Sequence, residues 1–139
     1  MINFLKKKTK FGKIKVLIVD DEPDYLQTLR DMLEMNRYLV ASAIDGQQAL
    51  KMIPEEQPDV ILLDLIMPGM NGLEVLERIK SNPEFKSIPV IMLTGRSEGG
   101  DITRAKECGV DDYIVKPFNR NLLLETIKKV MKKSLMVRN

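Results

Sequence analysis

The feature that most constrains this chain is the run Val60-Ile61-Leu62-Leu63, four consecutive apolar residues that end in a carboxylate, Asp64, and break at once into Met67-Pro68-Gly69-Met70-Asn71-Gly72. An unbroken apolar run with β-branched members, bounded by turn residues, reads as a strand buried on both faces, as the middle of a parallel sheet requires. Asp64 then ends a central strand on the side where open α/β sheets collect ligands. The rest of the chain is read as the scaffold that brings other groups to it.

Lys15-Val16-Leu17-Ile18-Val19 is a second such run and ends in Asp20-Asp21-Glu22. Pro23 suits the first turn of a helix, and acids at that end suit the helix dipole. Tyr25, Leu26, Leu29, Met32 and Leu33 carry the helical period to about Asn36. Leu39-Val40-Ala41-Ser42-Ala43 is a weaker strand, and Asp45-Gly46 opens a short helix with Ala49, Leu50 and Ile53 that Pro54 and Pro58 are expected to stop. After the central strand, Asn71 is the expected cap of a helix bearing Leu73, Leu76 and Ile79. Val90-Ile91-Met92-Leu93-Thr94 is the fourth strand, and residues 95–100 are expected as a loop loosened by adjacent glycines. Residues 101–108 have few apolar positions and are the weakest helical pattern of the chain. Asp112-Tyr113-Ile114-Val115 is a short fifth strand ending at Lys116-Pro117-Phe118, and Asn119 caps a last helix with Leu123, Ile127, Val130 and Met131 inward. Five strands alternating with five helices predict an α/β fold: a doubly wound parallel sheet with right-handed crossovers and helices on both faces.

At 139 residues this is one domain, large enough to bury a core without disulfides or metal staples. The expected division is a flexible basic leader over 1–12, the domain proper over 13–133 and a tail over 134–139. No apolar run reaches the length of a membrane span, residues 1–13 lack a signal-peptide core, and the single Cys108 can form no internal disulfide; together these predict a cytoplasmic protein. Cys108 is read as a small buried apolar residue. Residues 1–15 hold six lysines and residues 128–139 four lysines and Arg138, all without acids, which leaves 16–127 at a net −9. No recognition helix or aromatic-basic platform accompanies these lysines, so they are read as solvated ends rather than a nucleic-acid surface.

The residues that terminate the strands are Asp20-Asp21, Asp64, Thr94 and Lys116, all at one edge of the sheet. Carboxylates gathered there repel; two unit charges 4 Å apart cost about 4 kcal/mol at an effective dielectric near 20. A divalent cation relieves that strain. Oxygen ligands without His or Cys select Mg²⁺ or a similarly hard ion. A metal with open positions grips phosphoryl oxygens, so an adjacent carboxylate can become an aspartyl phosphate. Asp64, alone on the central strand, takes that role; Asp20 and Asp21 share the metal, Lys116 neutralises phosphoryl charge and the Thr94 hydroxyl donates to a phosphoryl oxygen.

These residues carry a resemblance. Val19-Asp20-Asp21-Glu22, Leu63-Asp64-Leu65-Ile66-Met67-Pro68 through Gly72, Leu93-Thr94-Gly95, and Asp112-Tyr113 through Lys116-Pro117-Phe118, with 30 residues from Asp64 to Thr94 and 52 to Lys116, resemble the receiver domain of bacterial two-component response regulators. The likeness spans roughly 13–133. It implies a flavodoxin-like sheet in the order 2-1-3-4-5 and phosphorylation of Asp64 by a histidine kinase or phosphotransfer protein. It implies Mg²⁺, with Mn²⁺ able to substitute, held by Asp21 and Asp64 directly, by Asp20 largely through water and by the backbone carbonyl of Ile66. Thr94 and Tyr113 match the family's switch pair, Lys116-Pro117 a dipeptide that is usually cis in the family, and Ile66 and Arg96 positions that tune phosphoryl lifetime. A signalling module is implied, whose chemistry is its own phosphoryl transfer and slow dephosphorylation, acting as a monomer or a phosphorylation-dependent dimer.

The region 95–108, the fifth strand and the last helix are the expected output face for a downstream protein. No DNA-binding domain is expected in this chain, which acts either alone or as part of a longer regulator. Two other classes fit less well. A phosphatase of the haloacid-dehalogenase type needs an acid two residues after its nucleophile, where Ile66 stands; a flavodoxin-like electron carrier needs a hydroxyl-rich phosphate loop where Asp20-Asp21-Glu22 would repel the phosphate. Without a histidine, the chain cannot be its own phosphohistidine donor.

Overall fold

A helix separates each apolar run from the next, which gives the crossover that parallel pairing of the strands requires. The computed structural model describes residues 12–67, 69–95 and 99–138. Its elements alternate as β1 (Lys15–Val19), α1 (Pro23–Met35), β2 (Leu39–Ala43), α2 (Gly46–Glu56), β3 (Val60–Asp64), α3 (Gly72–Ser81), β4 (Val90–Thr94), α4 (Gly99–Glu107), β5 (Asp112–Val115) and α5 (Arg120–Arg138). All pairings are parallel, in the order β2-β1-β3-β4-β5.

Alternation along the strands splits the core into two layers. Leu17, Val19, Ile61, Leu63, Val90 and Met92 pack with α2, α3 and Ala105 of α4. Val16, Ile18, Val60, Leu62, Ile91 and Leu93 pack with α1 and α5. Each of these strand residues is fully buried, and burial of a side chain of that size stabilises the fold by about 1.5–3 kcal/mol. The strong burial of β3 on both faces is what makes Asp64, at its end, a deep rather than a peripheral carboxylate.

Caps set the helix starts. The Asp45 side chain accepts from the Gln48 N–H at 2.8 Å, that of Asn71 from Glu74 N–H at 3.0 Å and that of Asn119 from Leu122 N–H at 2.7 Å. Asn71→Ala is expected to lower stability by about 1 kcal/mol, read as a shift of the denaturant midpoint without a change of slope.

Three expectations differ from what the coordinates show. Pro54 lies inside α2, which runs on to Glu56 and ends with Gln57 in the left-handed region, its N–H on the Ile53 carbonyl. The proline removes a single helical donor, and the bond from Gln57 closes the last turn. Gly99 and Gly100 belong to the first turn of α4 rather than to a loop, at a helix start where backbone N–H groups have no intrahelical partner. Residues 134–138 continue α5. Among the described residues no helix is long and apolar enough to cross a membrane.

Candidate phosphoacceptor site

The parallel order places the ends of β1, β3 and β4 side by side, and the residues following them meet in one pocket. Asp20, Asp21 and Asp64 each offer a carboxylate oxygen, all within 4.8 Å of one another. Asp20 is 1% and Asp64 8% exposed, with Asp21 more open to solvent. Asp20 is oriented by its neighbours: its N–H donates to the Ala43 carbonyl of β2, and its Oδ1 accepts from the Glu22 N–H at 2.9 Å. That second bond satisfies a donor just before α1, so the acid pair and the helix start form one turn.

Lys116 reaches in from the β5–α5 connection. Its Nζ lies 3.5 Å from Asp20 Oδ2 and 3.6 Å from Asp64 Oδ1, and its N–H donates to the Thr94 carbonyl at 2.6 Å. The Lys116–Pro117 peptide bond is cis. Among the described residues the Thr94 hydroxyl oxygen is buried without a hydrogen-bond partner. A buried hydroxyl left unpaired costs about 1–3 kcal/mol, so it is poised to gain from an acceptor.

One ammonium does not balance three carboxylates. Burial pushes the Asp64 carboxyl up to about 6; Lys116 opposes this, Asp20 and Asp21 add to it, and the Ile66 N–H, bonding to the carboxylate, opposes it. An all-oxygen cluster with surplus negative charge suits a hard divalent cation, so these side chains fit Mg²⁺. Ile66 itself is 65% exposed.

Gly72 completes the pocket from behind. Its N–H donates to the Leu65 carbonyl at 2.8 Å, and a Cβ there would collide with the Asp64 carbonyl oxygen and lie 2.8 Å from Leu65 Cα. The start of α3 therefore sits against the backbone that carries Asp64.

Tyr113 is half-buried on β5, where the register pairs Met92 with Tyr113 and Thr94 with Val115; its ring packs on the α2–α4 layer, with Lys106 Nζ 5.5 Å from the centroid. Arg96 lies outside the described residues, as do 1–11, Pro68, 97–98 and Asn139. Tyr25 was read from sequence only as an apolar position of α1, yet its ring meets Lys116 Nζ at 4.4 Å from the centroid. The available signal was an aromatic one helical turn past an acid pair.

A flavodoxin-like sheet with this acidic pocket at its carboxyl edge defines a receiver domain, and the family model for the response regulator receiver domain matches residues 16–128. The chain belongs to that family, the receiver domain of two-component response regulators. Among proteins, it is 36% identical over 117 residues to Protein PilH of Pseudomonas aeruginosa, covering 84% of this chain and 97% of that one. It is 38% identical over 119 residues to the phosphate regulon transcriptional regulatory protein PhoB of Escherichia coli, covering 86% of this chain and 52% of PhoB. It is 39% identical over 122 residues to the probable transcriptional regulator ycf27 of Guillardia theta, covering 88% of this chain and 47% of that protein. The chain thus spans about half the length of the PhoB and ycf27 relatives. Among structures, the Vibrio cholerae chemotaxis protein CheY4 superposes with a TM-score of 0.81 at 34% identity, over 85% of this chain and 98% of that one.

Proposed function

We propose that Asp64 accepts a phosphoryl group from a phosphohistidine of a histidine kinase or phosphotransfer protein, and that the phosphorylated form binds a downstream protein through α4, β5 and α5. An Asp64 carboxylate oxygen forms the new bond to phosphorus as the phosphorus–nitrogen bond breaks, the leaving nitrogen keeping the electron pair. Lys116 neutralises charge on the phosphoryl oxygens and the Thr94 hydroxyl donates to one of them. Asp21 and Asp64, Asp20 largely through water, and the Ile66 carbonyl would hold Mg²⁺, which would supply further positive charge against the phosphoryl group. Thr94 and Tyr113 form the switch pair, the hydroxyl moving toward the phosphate and the ring turning inward behind it, while Ile66 and Arg96 tune how fast water reaches the acyl phosphate. The reaction is self-modification in a cytoplasmic signalling protein, not turnover of a metabolite.

The observation that carries this reading is the unpaired Thr94 hydroxyl on the strand beside Asp64, whose carboxylate already faces Lys116 Nζ at 3.6 Å. The test is intact-mass measurement after incubation with acetyl phosphate and Mg²⁺. The parent is expected to gain one base-labile phosphoryl group and Asp64→Asn none; an equal gain in the variant would move the acceptor elsewhere.

A further inference from the structure

Lys116 has a flexible four-carbon stem, and the two ion pairs that hold its ammonium are loose. At 3.5 and 3.6 Å they exceed the 2.7–2.9 Å usual for a charged hydrogen bond. Lys116 also lines a groove of about 630 Å³ that it shares with Tyr25, Leu29, Pro117 and Phe118 among others and that leaves its side chain room to turn away from the acids. The Tyr25 ring lies against the ammonium, with Nζ over its face at 4.4 Å, inside the roughly 6 Å range of a cation–π contact.

The placement of that ring follows from the same acids. Asp20 Oδ1 accepts from the Glu22 N–H and the Glu22 carbonyl accepts from Leu26 N–H, which ties the acid pair to the first turn of α1, where Tyr25 stands. Burial and the nearby acids Asp20, Asp64 and Glu22 push its hydroxyl up to about 12, which favours the neutral ring.

We infer that Tyr25 is a positioning residue for phosphoryl uptake: its ring face holds the Lys116 ammonium toward Asp64. This rests on the reading of Asp64 as phosphoacceptor and adds a contact from α1 to it. Tyr25 does not touch the reacting atoms; it sets where the positive charge waits while an Asp64 oxygen bonds to phosphorus and the donor's bond to phosphorus breaks.

The experiment compares the parent with Tyr25→Phe and Tyr25→Leu in the 139-residue chain. In metal-free protein, the Lys116 ε-methylene protons are expected upfield from ring current in the parent and in Tyr25→Phe, and at ordinary shifts in Tyr25→Leu. With acetyl phosphate and Mg²⁺, Tyr25→Leu is expected to be phosphorylated about 3–10-fold more slowly, the range a cation–π contact supports, and Tyr25→Phe within about twofold of the parent. In a Lys116→Ala background the Tyr25→Leu change is expected to have no further effect, which a merely structural role of the ring would not give. Equal rates for parent and Tyr25→Leu, an equal loss in Tyr25→Phe, or an undiminished loss in the Lys116→Ala background would each overturn the inference. A parent that gains no phosphoryl mass overturns the reading of Asp64, and this inference with it.

Discussion

Gly72→Ala is expected to melt about 10 °C below the parent, a loss of about 3 kcal/mol, measured by thermal or denaturant unfolding. The added methyl meets backbone on every side: the Asp64 carbonyl oxygen, Leu65 Cα at 2.8 Å and the Leu65 carbonyl oxygen at 3.0 Å. None of these is the yielding end of a side chain, so either α3 backs away or the end of β3 bends. Both cost packing, because Leu73, Val75 and Leu76 lock α3 into the core immediately afterwards. Gly95→Ala is the control, since nothing lies within 4 Å of a Cβ there. A Gly72→Ala protein melting as the parent does would show that the strand–helix junction gives way freely.

Asp64→Asn is expected to stabilise the protein in chelator at pH 8, by about 1–2 kcal/mol once the carboxylate's partial contact with water is discounted, and to leave stability unchanged near pH 4. The native carboxyl is raised from 3.8 to about 6, so between those values the folded state binds more protons than the unfolded one. Stability therefore falls as pH rises through that interval and stays low above it. Asparagine has no proton to lose and escapes the penalty. Added Mg²⁺ is expected to reverse the order at pH 8, stabilising the parent and leaving the variant unmoved. Variant and parent with equal stability at both pH values would show that Asp64 sits comfortably charged without a metal.

The site was legible in the sequence because doubly buried strands are spelled as unbroken apolar runs. The polar residue that ends each run then belongs to one sheet edge, which groups Asp20, Asp21, Asp64, Thr94 and Lys116 from the sequence pattern alone. The helices were harder to read where their burden is light. In α4 the one fully buried side chain is Ala105 among those described, because this helix covers only the margin of the sheet, so its periodicity is faint. A local rule makes Pro54 a terminator, while the bond from the Gln57 N–H to the Ile53 carbonyl closes a helix that runs past it.

Acids at the opposite edge carried no visible signal. Asp59 accepts from the Lys15 N–H at 2.9 Å, and Asp111 accepts from the Val90 N–H at 2.7 Å and from Lys80 Nζ at 3.0 Å. They terminate the sheet's starting side by pairing its free donors, a role that depends on which strands are neighbours. Tyr25 was hidden for the same reason: its partner is 91 residues away along the chain, and only the sheet order brings them together.

The bond from the Lys116 N–H to the Thr94 carbonyl ties the main chains behind the hydroxyl and the ammonium to each other. These two side chains cannot separate by sliding of β5 along β4 without breaking it. What remains free is torsion about their own side-chain bonds, motion of the picosecond-to-nanosecond kind for exposed groups and slower for enclosed ones. A switch of the kind proposed for Thr94 would then turn on the rotation of a few bonds, with no ladder to unzip and rebuild.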